Sequence, residues 1–375
     1  MEVMRPLACL LAACAVMAPA AVATAAPAPA DKPPADKPAT VHRGPDDWAR
    51  PAAVRLSRSL DWPQLRTVSL ARPATRGALE RALGALSSTG QTDFRVLAAP
   101  AVPGSSSAGI TLAGARRAFV RAMGLESERR AIQSLSTEDG KTLRMPRDAG
   151  SEVLARELGL VVNLPQPLEN LERQASQPLR YADLVSMADA ASRVDFWHLS
   201  QVARYADIVL PAMSPAQFRV VQTAVKEIGS PYVWGGEWPS TTSPFGFQPA
   251  GGFDCSGLVW WSFSGPDDMR RSDLGDGLGW RTTADDIAFS STAGKRVKIA
   301  DTRAGDLVFF GARGKKTKRG HIEHVGIALG GGWMIHSSGS RGGVSISNLE
   351  TYWTDGTAFA RRPPAFAGAG AEKPV

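Results

Sequence analysis

The chain has 375 residues, of which 43% are hydrophobic and 21% are charged, so it is long enough for two or three domains of ordinary size. Its 43 Lys and Arg residues outnumber its 36 Asp and Glu residues, which gives a net charge of +7. A basic balance favours polyanionic surroundings, namely nucleic acid, anionic lipid or an anionic wall polymer. The 27 prolines and the Ala/Pro-rich stretches exclude a chain that is globular throughout.

Residues 1–26 are predicted to be an export signal. Arg5 supplies a positive charge at the start, an almost uninterrupted apolar run extends over residues 7–22, and Ala23-Thr24-Ala25 fits a cleavage site between small residues. The apolar run is too short and too rich in Ala for a membrane span. Export argues against nucleic acid as a partner, because it removes the chain from the cytoplasm.

The same segment allows an alternative, because Leu11-Ala12-Ala13-Cys14 resembles a bacterial lipobox. The protein would then be anchored to the outer face of a membrane through a lipid on Cys14, and it would contact a membrane only in that form. The apolar stretch before Cys14 is short, which favours ordinary secretion. Cys9 and Cys14 both lie inside the predicted signal, so Cys255 would be the single thiol of the mature chain. A lone thiol in an oxidising compartment is expected to be buried or used chemically.

Two regions follow the signal. Residues 27–50 are rich in Pro, Ala and Lys and predict an extended linker. Residues 51–205 are rich in Ala, Arg and Leu, show helical periodicity and contain only short strand-like pieces such as 160–162. Two similar tetrapeptides, Arg81-Ala82-Leu83-Gly84 and Arg121-Ala122-Met123-Gly124, stand 40 residues apart, which indicates helical repeats stacked on one another.

Parts of this helical region, at 110–125, 158–160 and 178–183, resemble degenerate S-layer homology repeats. Members of that family bind secondary wall polymers, so the resemblance implies that residues 51–205 bind an anionic wall polymer. A generic helical spacer domain explains the same pattern equally well, because Ala-rich amphipathic helices resemble one another.

A further domain is predicted over residues 212–362, followed by a C-terminal tail at 363–375. Ser214-Pro215-Ala216-Gln217 forms a capping box with Pro at the first helical position, and Gly229 ends the helix that it starts. Later in the domain, short apolar segments between Gly-rich turns predict β-strands. The predicted strands cover residues 307–310, 325–329, 333–336 and 344–347.

Cys255 opens an apolar run that is predicted to be a helix. A thiol in the first turn of a helix faces unpaired N–H groups and the positive end of the helix dipole, and both favour the thiolate, which is the attacking form. Asp254 can cap this helix through its carboxylate. These features predict Cys255 as a nucleophile.

Two histidines flank a predicted hairpin. If its turn is centred on Gly330, His324 lies directly across from His336 on the same face, with Cβ atoms about 4.5–5.5 Å apart. One imidazole can then orient the other, which supplies a nucleophile with a base and an orienting group. The small residues Gly326 and Ala328 would leave room on that face for the cysteine helix.

Five ordered blocks of this domain begin at Pro231, Asp254, Gly305, His324 and Met334. Together they resemble the signature of NlpC/P60 cysteine peptidases. The resemblance implies a papain-like α+β fold, with the helix that bears the cysteine packed on a small antiparallel sheet and a mostly helical region before it. It also implies hydrolysis of amide bonds in peptidoglycan stem peptides, in which Cys255 attacks, His324 is the base and His336 orients it. The residues assigned to the oxyanion and to substrate binding are Tyr232, Trp234, Asp254 and Ser256. The blocks are Pro231-Tyr232-Val233-Trp234-Gly235-Gly236, Asp254-Cys255-Ser256-Gly257-Leu258-Val259, Gly305-Asp306-Leu307-Val308-Phe309-Phe310, His324-Val325-Gly326-Ile327 and Met334-Ile335-His336.

Other residues could supply different chemistry. His321 also lies near the start of the strand, but strand alternation places it on the face opposite His324. A metal site formed by Cys255 and the two histidines lacks paired-ligand spacing, and the acidic residues between 267 and 286 do not follow the calcium-loop pattern. No metal or organic cofactor is therefore expected. The basic stretch 313–319 is expected to be a solvated hairpin tip, with contact to stem-peptide carboxylates as the alternative.

Three other functions stay open from the sequence. The same residues could serve an amidase or an acyltransferase of the same superfamily. The protein could instead be chiefly a cell-wall-binding protein without catalysis, or a metal-binding module.

Overall fold

The computed structural model describes residues 46–88, 104–162, 173–243, 246–248, 250–264 and 281–366. The predicted export signal, the lipobox cysteine Cys14 and most of the predicted linker lie outside these ranges, as do residues 267–280 of the acidic loop and the last part of the predicted tail. Within the described ranges, no helix combines the length and the apolar character that crossing a membrane requires.

The first half of the described chain is helical. Within the described ranges, seven α-helices precede the C-terminal domain: α1 (Arg50–Ser59), α2 (Arg76–Ser88), α3 (Leu112–Ala122), α4 (Glu126–Gln133), α5 (Ala149–Glu157), α6 (Tyr181–Ala191) and α7 (Phe196–Ala203). The first of them begins inside the predicted linker, since Asp47–Ala49 already forms a 3₁₀ turn that leads into it. The expected strand-like piece at residues 160–162 is not a strand. Leu160 follows the end of α5, and its side chain packs into the core.

Three short extended segments join in a ring within this helical region. Segments 73–75, 109–111 and 178–180 form β-bridges cyclically, each with both of the others, and each leads directly into a helix. Thr75 and Thr111 take the same place in their segments, and each hydroxyl accepts a hydrogen bond from the N–H three residues later. These two equivalent positions are 36 residues apart. The spacing of the structural repeat is therefore 36 residues, and not the 40 residues that separate the similar tetrapeptides.

Among its described residues, the C-terminal domain combines three α-helices with a six-stranded antiparallel sheet, which confirms the predicted α+β class. Its helices are α8 (Pro215–Val225), α9 (Cys255–Ser264) and α10 (Ala284–Phe289). The capping box predicted before α8 is present, with Ser214 and Gln217 satisfying each other's backbone N–H groups. Four short strands precede α9: β1 (Glu237–Trp238), β2 (Thr242–Ser243), β3 (Gly246–Phe247) and β4 (Gly252–Phe253). They form two small sheets, in which β1 pairs with β4 and β2 pairs with β3.

The main sheet has the strand order β5-β10-β6-β7-β8-β9. The four predicted strands are confirmed. Two further strands were not foreseen, namely β5 at one edge of the sheet and its neighbour β10. The bounds are β5 (Lys295–Val297), β6 (Leu307–Phe310), β7 (His324–Gly330), β8 (Trp333–Ser338), β9 (Gly343–Asn348) and β10 (Thr357–Arg362). The predicted tail also begins later than expected, because Phe366 is buried against Phe263 of α9.

The register of the β7–β8 hairpin differs from the predicted one. Ile327 pairs with Ile335, and a bulge then shifts the pairing before the turn. Gly330, Gly331 and Gly332 all have positive φ, which lets the chain reverse with this irregular turn. The prediction that His324 and His336 lie directly opposite each other is therefore wrong, and they are diagonal neighbours on one face.

The small residues of β7 do not make room for the cysteine helix as predicted. Ala328 packs with Met334 and Trp353 in a minor hydrophobic cluster on one face of the sheet. The odd-numbered residues of β7, Val325 and Ile327 among them, share the main core with Leu258 and Val259 of α9. The space beside Gly326 belongs to the Met334 side chain instead, because a Cβ at Gly326 would stand 2.8 Å from that sulfur.

The helical region and the sheet share one continuous hydrophobic core. The edge strand β9 lies beside α5, and the Tyr205 hydroxyl donates to the Ile346 carbonyl over 2.6 Å. Arg156 at the end of α5 is completely buried, and its guanidinium donates to the carbonyls of Arg341 and Gly229. The backbone at 229–232 pairs with the start of β9. Together with this segment, the helices cover an edge of the sheet that would otherwise be open to pairing with another chain.

Two helical glycines provide a matched test of this packing. A Cβ at Gly257 in α9 would lie 1.9 Å from the Gly236 carbonyl oxygen, whereas a Cβ at Gly84 in α2 would meet no atom within 4 Å. We expect Gly257→Ala to lower the free energy of unfolding by about 3 kcal/mol or more, and Gly84→Ala to raise it by about 0.5–1 kcal/mol. Urea unfolding of both variants measures this, and equal effects would contradict the close approach of α9 to residue 236.

Candidate active site

The N-terminus of α9 carries Cys255 as its first residue. Asp254 caps the helix as predicted, because its Oδ1 accepts hydrogen bonds from the Gly257 N–H over 2.6 Å and from the Ser256 hydroxyl over 3.0 Å. The Cys255 residue is 7% exposed. A thiol in this position meets the partial positive charge of the first helical turn, which stabilises a thiolate.

A buried guanidinium holds the residues around the cap. Arg281 donates to Asp254 Oδ2 over 2.5 Å and to the Ser256 hydroxyl over 2.7 Å, and it lies 3.8 Å from a carboxylate oxygen of Glu237. Asp254 and Ser256, for which contact with substrate was predicted, have their polar atoms in this cluster at the start of the helix. The role of Arg281 was not foreseen, because this residue follows Cys255 by 26 residues and only the fold brings it back to the start of the helix.

The two histidines form a buried, hydrogen-bonded pair. His324 Nε2 lies 2.8 Å from His336 Nδ1, and the ring planes are nearly perpendicular at 78°. Diagonal neighbours on one face of a sheet are separated by about 7–8 Å, which is within reach of two rings that lean toward each other. The predicted pairing of the imidazoles is thus present, although the predicted register is not.

Trp353 covers the histidine pair, a role that no local pattern around this residue predicts. Its ring stacks on His324 with a centroid separation of 5.1 Å and an angle of 22°, and it meets His336 edge-on at 4.7 Å. Phe310 of β6 closes another side of His324, at 5.6 Å. These aromatic rings keep the imidazoles out of water. The hydrogen bond to His336 fixes the orientation of the His324 ring at its Nε2 atom.

Burial sets the charge state of both imidazoles. It lowers the pKa of His324 to about 3. It also lowers the pKa of His336 well below its usual range, and the neighbouring His324 and Arg341 lower it further. Both rings are therefore neutral near pH 7, which is the form in which an imidazole accepts a proton.

Tyr232 lies close to the start of α9 and Trp234 lies two residues further along the chain. The Tyr232 backbone forms a parallel bridge with Phe253, and its residue is buried. Trp234 is half-buried. Trp238, another aromatic residue of this segment, packs edge-on against Trp261 of α9 at 4.6 Å.

The alternative residues lie away from this arrangement. His321 is exposed and precedes β7, so strand alternation does not apply to it, and its exposure separates it from the buried pair. The basic residues of 313–319 are exposed in the connection between β6 and β7, as predicted. Asp285 accepts backbone hydrogen bonds from Gly320 and Ile322 and so fixes this connection. Among the described residues, no cluster of His, Cys, Asp and Glu could hold a metal ion.

Comparison with known proteins places these residues in a family. Residues 229–362 match the NlpC/P60 family, which confirms the resemblance seen in the sequence. The chain is 38% identical over 139 residues to the bifunctional muramidase/DL-endopeptidase CwlT of Bacillus subtilis, which covers 36% of this chain and 33% of that protein. It is 34% identical over 131 residues to the peptidoglycan endopeptidase RipB of Mycobacterium tuberculosis, which covers 34% of this chain and 46% of RipB.

A solved structure of the peptidoglycan hydrolase RipB from Mycobacterium tuberculosis is 33% identical and covers 39% of this chain and 64% of that chain, with a TM-score of 0.29. The chain spans less than half of the length of the two curated relatives.

The buried imidazoles predict a specific dependence of stability on pH. In the unfolded chain the pKa of a histidine is about 6.5. Below that pH the unfolded state therefore binds more protons than the folded state. We expect the free energy of unfolding to fall as the pH is lowered from about 6.5 toward 3, with a slope of up to about 1.4 kcal/mol per pH unit for each ring.

Urea unfolding between pH 6.5 and pH 5 measures this slope before most carboxylates titrate. His324→Gln should make the slope shallower, while His321→Gln, at the exposed histidine, should keep the slope of the parent chain. Identical slopes in all three chains would contradict the burial of His324 as a neutral ring.

Proposed function

Because residues 229–362 form an NlpC/P60 domain, we propose that this chain hydrolyses amide bonds in the stem peptides of peptidoglycan. One observation carries the proposal: within this domain, the lone cysteine of the described residues starts a capped helix, and the same domain holds a buried, neutral histidine pair. A nucleophile, a base and a group that orients the base are the parts of a thiol peptidase.

The proposed reaction is an acyl transfer in two steps. The Cys255 sulfur attacks the amide carbon while His324 takes the thiol proton, and the C–N bond then breaks as His324 gives that proton to the leaving amine. Water next attacks the thioester, with His324 accepting its proton, and the C–S bond breaks to regenerate the thiol. The Cys255 N–H and Tyr232 are the proposed donors to the oxyanion, and Trp234 is proposed to contact the substrate.

The bond that is cut is proposed from the relatives. CwlT is named a DL-endopeptidase and RipB a peptidoglycan endopeptidase, and both names fit cleavage within a wall peptide. The mechanism needs no metal and no organic cofactor. An amidase or an acyltransferase would use the same residues on another amide or ester, so the products distinguish these activities.

The proposed location is the cell wall, after export by the segment 1–26. Lipid attachment at Cys14 would instead retain the protein at the outer face of a membrane. The chain's net charge of +7 supports the proposal that it binds an anionic wall polymer, for which residues 51–205 are the proposed region.

Cys255→Ser tests the catalytic proposal. We expect it to remove nearly all hydrolysis of purified peptidoglycan, because a serine hydroxyl is a far weaker nucleophile than a thiolate beside the same base. Mass spectrometry of the released muropeptides measures the loss and identifies the bond cut by the parent chain. The far-UV circular dichroism and the melting temperature should stay close to those of the parent.

His321→Gln is the control for this experiment, and it should retain hydrolysis because His321 is exposed outside β7. Hydrolysis by Cys255→Ser at the parent rate would exclude Cys255 as the nucleophile.

Binding to the wall is tested separately with the inactive Cys255→Ala chain. We expect it to sediment with intact sacculi, and to do so less after the anionic polymer has been extracted, because removal of the polymer removes its negative charge. Added salt should weaken the association with intact sacculi. Equal sedimentation with intact and extracted sacculi would contradict polymer binding.

A further inference from the structure

A chain of hydrogen bonds leads from the histidine pair into the helical region. His336 Nε2 lies 2.9 Å from the Ser347 hydroxyl of β9, and that hydroxyl donates to Glu157 Oε1 over 2.6 Å. Glu157 is the last residue of α5, and it lies outside the segment that matches the NlpC/P60 family. The Ser347 and His336 residues are completely buried, and the Glu157 side chain is 9% exposed.

The other oxygen of Glu157 is held by a cation. Arg341 Nη2 lies 3.3 Å from Glu157 Oε2, and its Nη1 donates to the Glu157 carbonyl over 3.4 Å. Burial raises the pKa of the Glu157 carboxyl, while the Arg341 charge and the Ser347 hydroxyl act in the opposite direction. The neighbouring Arg156 directs its guanidinium to backbone carbonyls.

The direction of each hydrogen bond follows from the number of protons available. The Arg341 guanidinium at 3.3 Å favours the ionised form of Glu157. An ionised carboxylate only accepts, so the Ser347 hydroxyl donates its single proton to Glu157 and accepts from His336. The neutral His336 ring then carries its proton on Nε2 and accepts at Nδ1. His324 therefore donates from Nε2, and its own Nδ1 is left with a lone pair.

We propose that Glu157 is a positioning residue that fixes the tautomer of both histidines through Ser347 and keeps Nδ1 of His324 unprotonated as the base. This inference rests on the proposed function, because it gives His324 Nδ1 the task of accepting the Cys255 proton. When His324 takes that proton, the hydrogen-bond chain links the positive ring to the negative charge on Glu157. The carboxylate thereby stabilises a cation that burial otherwise disfavours.

Glu157→Gln gives a sharp test, because glutamine has one oxygen and one amide NH₂. Arg341 can only donate, so the amide oxygen should face Arg341 and the NH₂ should face Ser347. The Ser347 proton must then point to His336 Nε2, which places the ring protons on Nδ1 of His336 and on Nδ1 of His324. The base loses its lone pair without any change in side-chain shape.

The experiment uses the full-length chain with ¹⁵N-labelled histidine and compares it with three variants. For Glu157→Gln we expect kcat on purified peptidoglycan to fall by about a hundredfold or more with KM unchanged, because a wrong tautomer disables a base while leaving the substrate site intact. The ¹⁵N shifts of His324 and His336 should show protonated Nε2 in the parent chain and protonated Nδ1 in the variant.

Ser347→Ala removes the link itself, so it should lower kcat and leave His336 with a mixture of tautomers. It also keeps the test decisive if Glu157→Gln does not fold. Glu152→Gln is the matched control, since Glu152 lies on the same helix, is buried and pairs with Arg116 over 2.6 Å. It should change the melting temperature without changing the ring protons or kcat.

Unchanged ring protons and kcat in Glu157→Gln would overturn the proposal, as would an equal loss of kcat in Glu152→Gln. A parent chain that releases no muropeptides would refute the proposed hydrolase function. The ¹⁵N shifts would then still decide whether Glu157 sets the tautomers, so the two failures are distinguishable.

Discussion

The site depends on keeping two neutral imidazoles in an apolar environment. A buried polar group is stabilised when its hydrogen-bonding atoms are paired, so His324 Nε2 and both ring nitrogens of His336 need defined partners. His324 is bonded to His336, His336 to Ser347, and Ser347 to Glu157, while Trp353 and Phe310 exclude water from the first ring. Removing any one partner would leave a buried nitrogen or oxygen unpaired.

This requirement explains why the helical region is part of the same structural unit. Strand β9 is the edge of the main sheet, and an edge strand exposes backbone groups and side chains that its neighbour would otherwise cover. Helix α5 covers this edge, and its last two residues place Arg156 against backbone carbonyls and Glu157 against Ser347. The resulting contact is both structural and electrostatic, so a spacer that merely separates the sheet from the wall is a poor description of residues 51–205.

Local signals in the sequence predicted what local physics decides. The caps at Ser214 and Asp254, the helix that begins at Cys255 and the strands around His324 follow from neighbouring residues, and the structure contains all of them. The hairpin register could not be predicted, because three consecutive glycines permit several turns and the bulge near Gly330 depends on packing around the turn. The observed pairing is centred on residue 331 and not on Gly330, and this shift of one residue turns an opposed pair of histidines into a diagonal pair.

Contacts between distant parts of the chain gave no such signal. Glu157 and Ser347 are 190 residues apart, and neither belongs to a motif that announces a role. A buried glutamate at the end of an Ala-rich helix has a simple interpretation as the partner of an arginine, which Arg341 indeed supplies. What distinguishes Glu157 is that its other carboxylate oxygen also has a partner. That oxygen accepts the hydrogen bond that the Ser347 hydroxyl donates. Because a hydroxyl has a single proton, that one bond fixes the direction of every hydrogen bond up to His324. In the proposed mechanism, the NlpC/P60 domain therefore receives an electrostatic constraint from outside the segment that matches its family, and the proposed base depends on residues of the helical region as well.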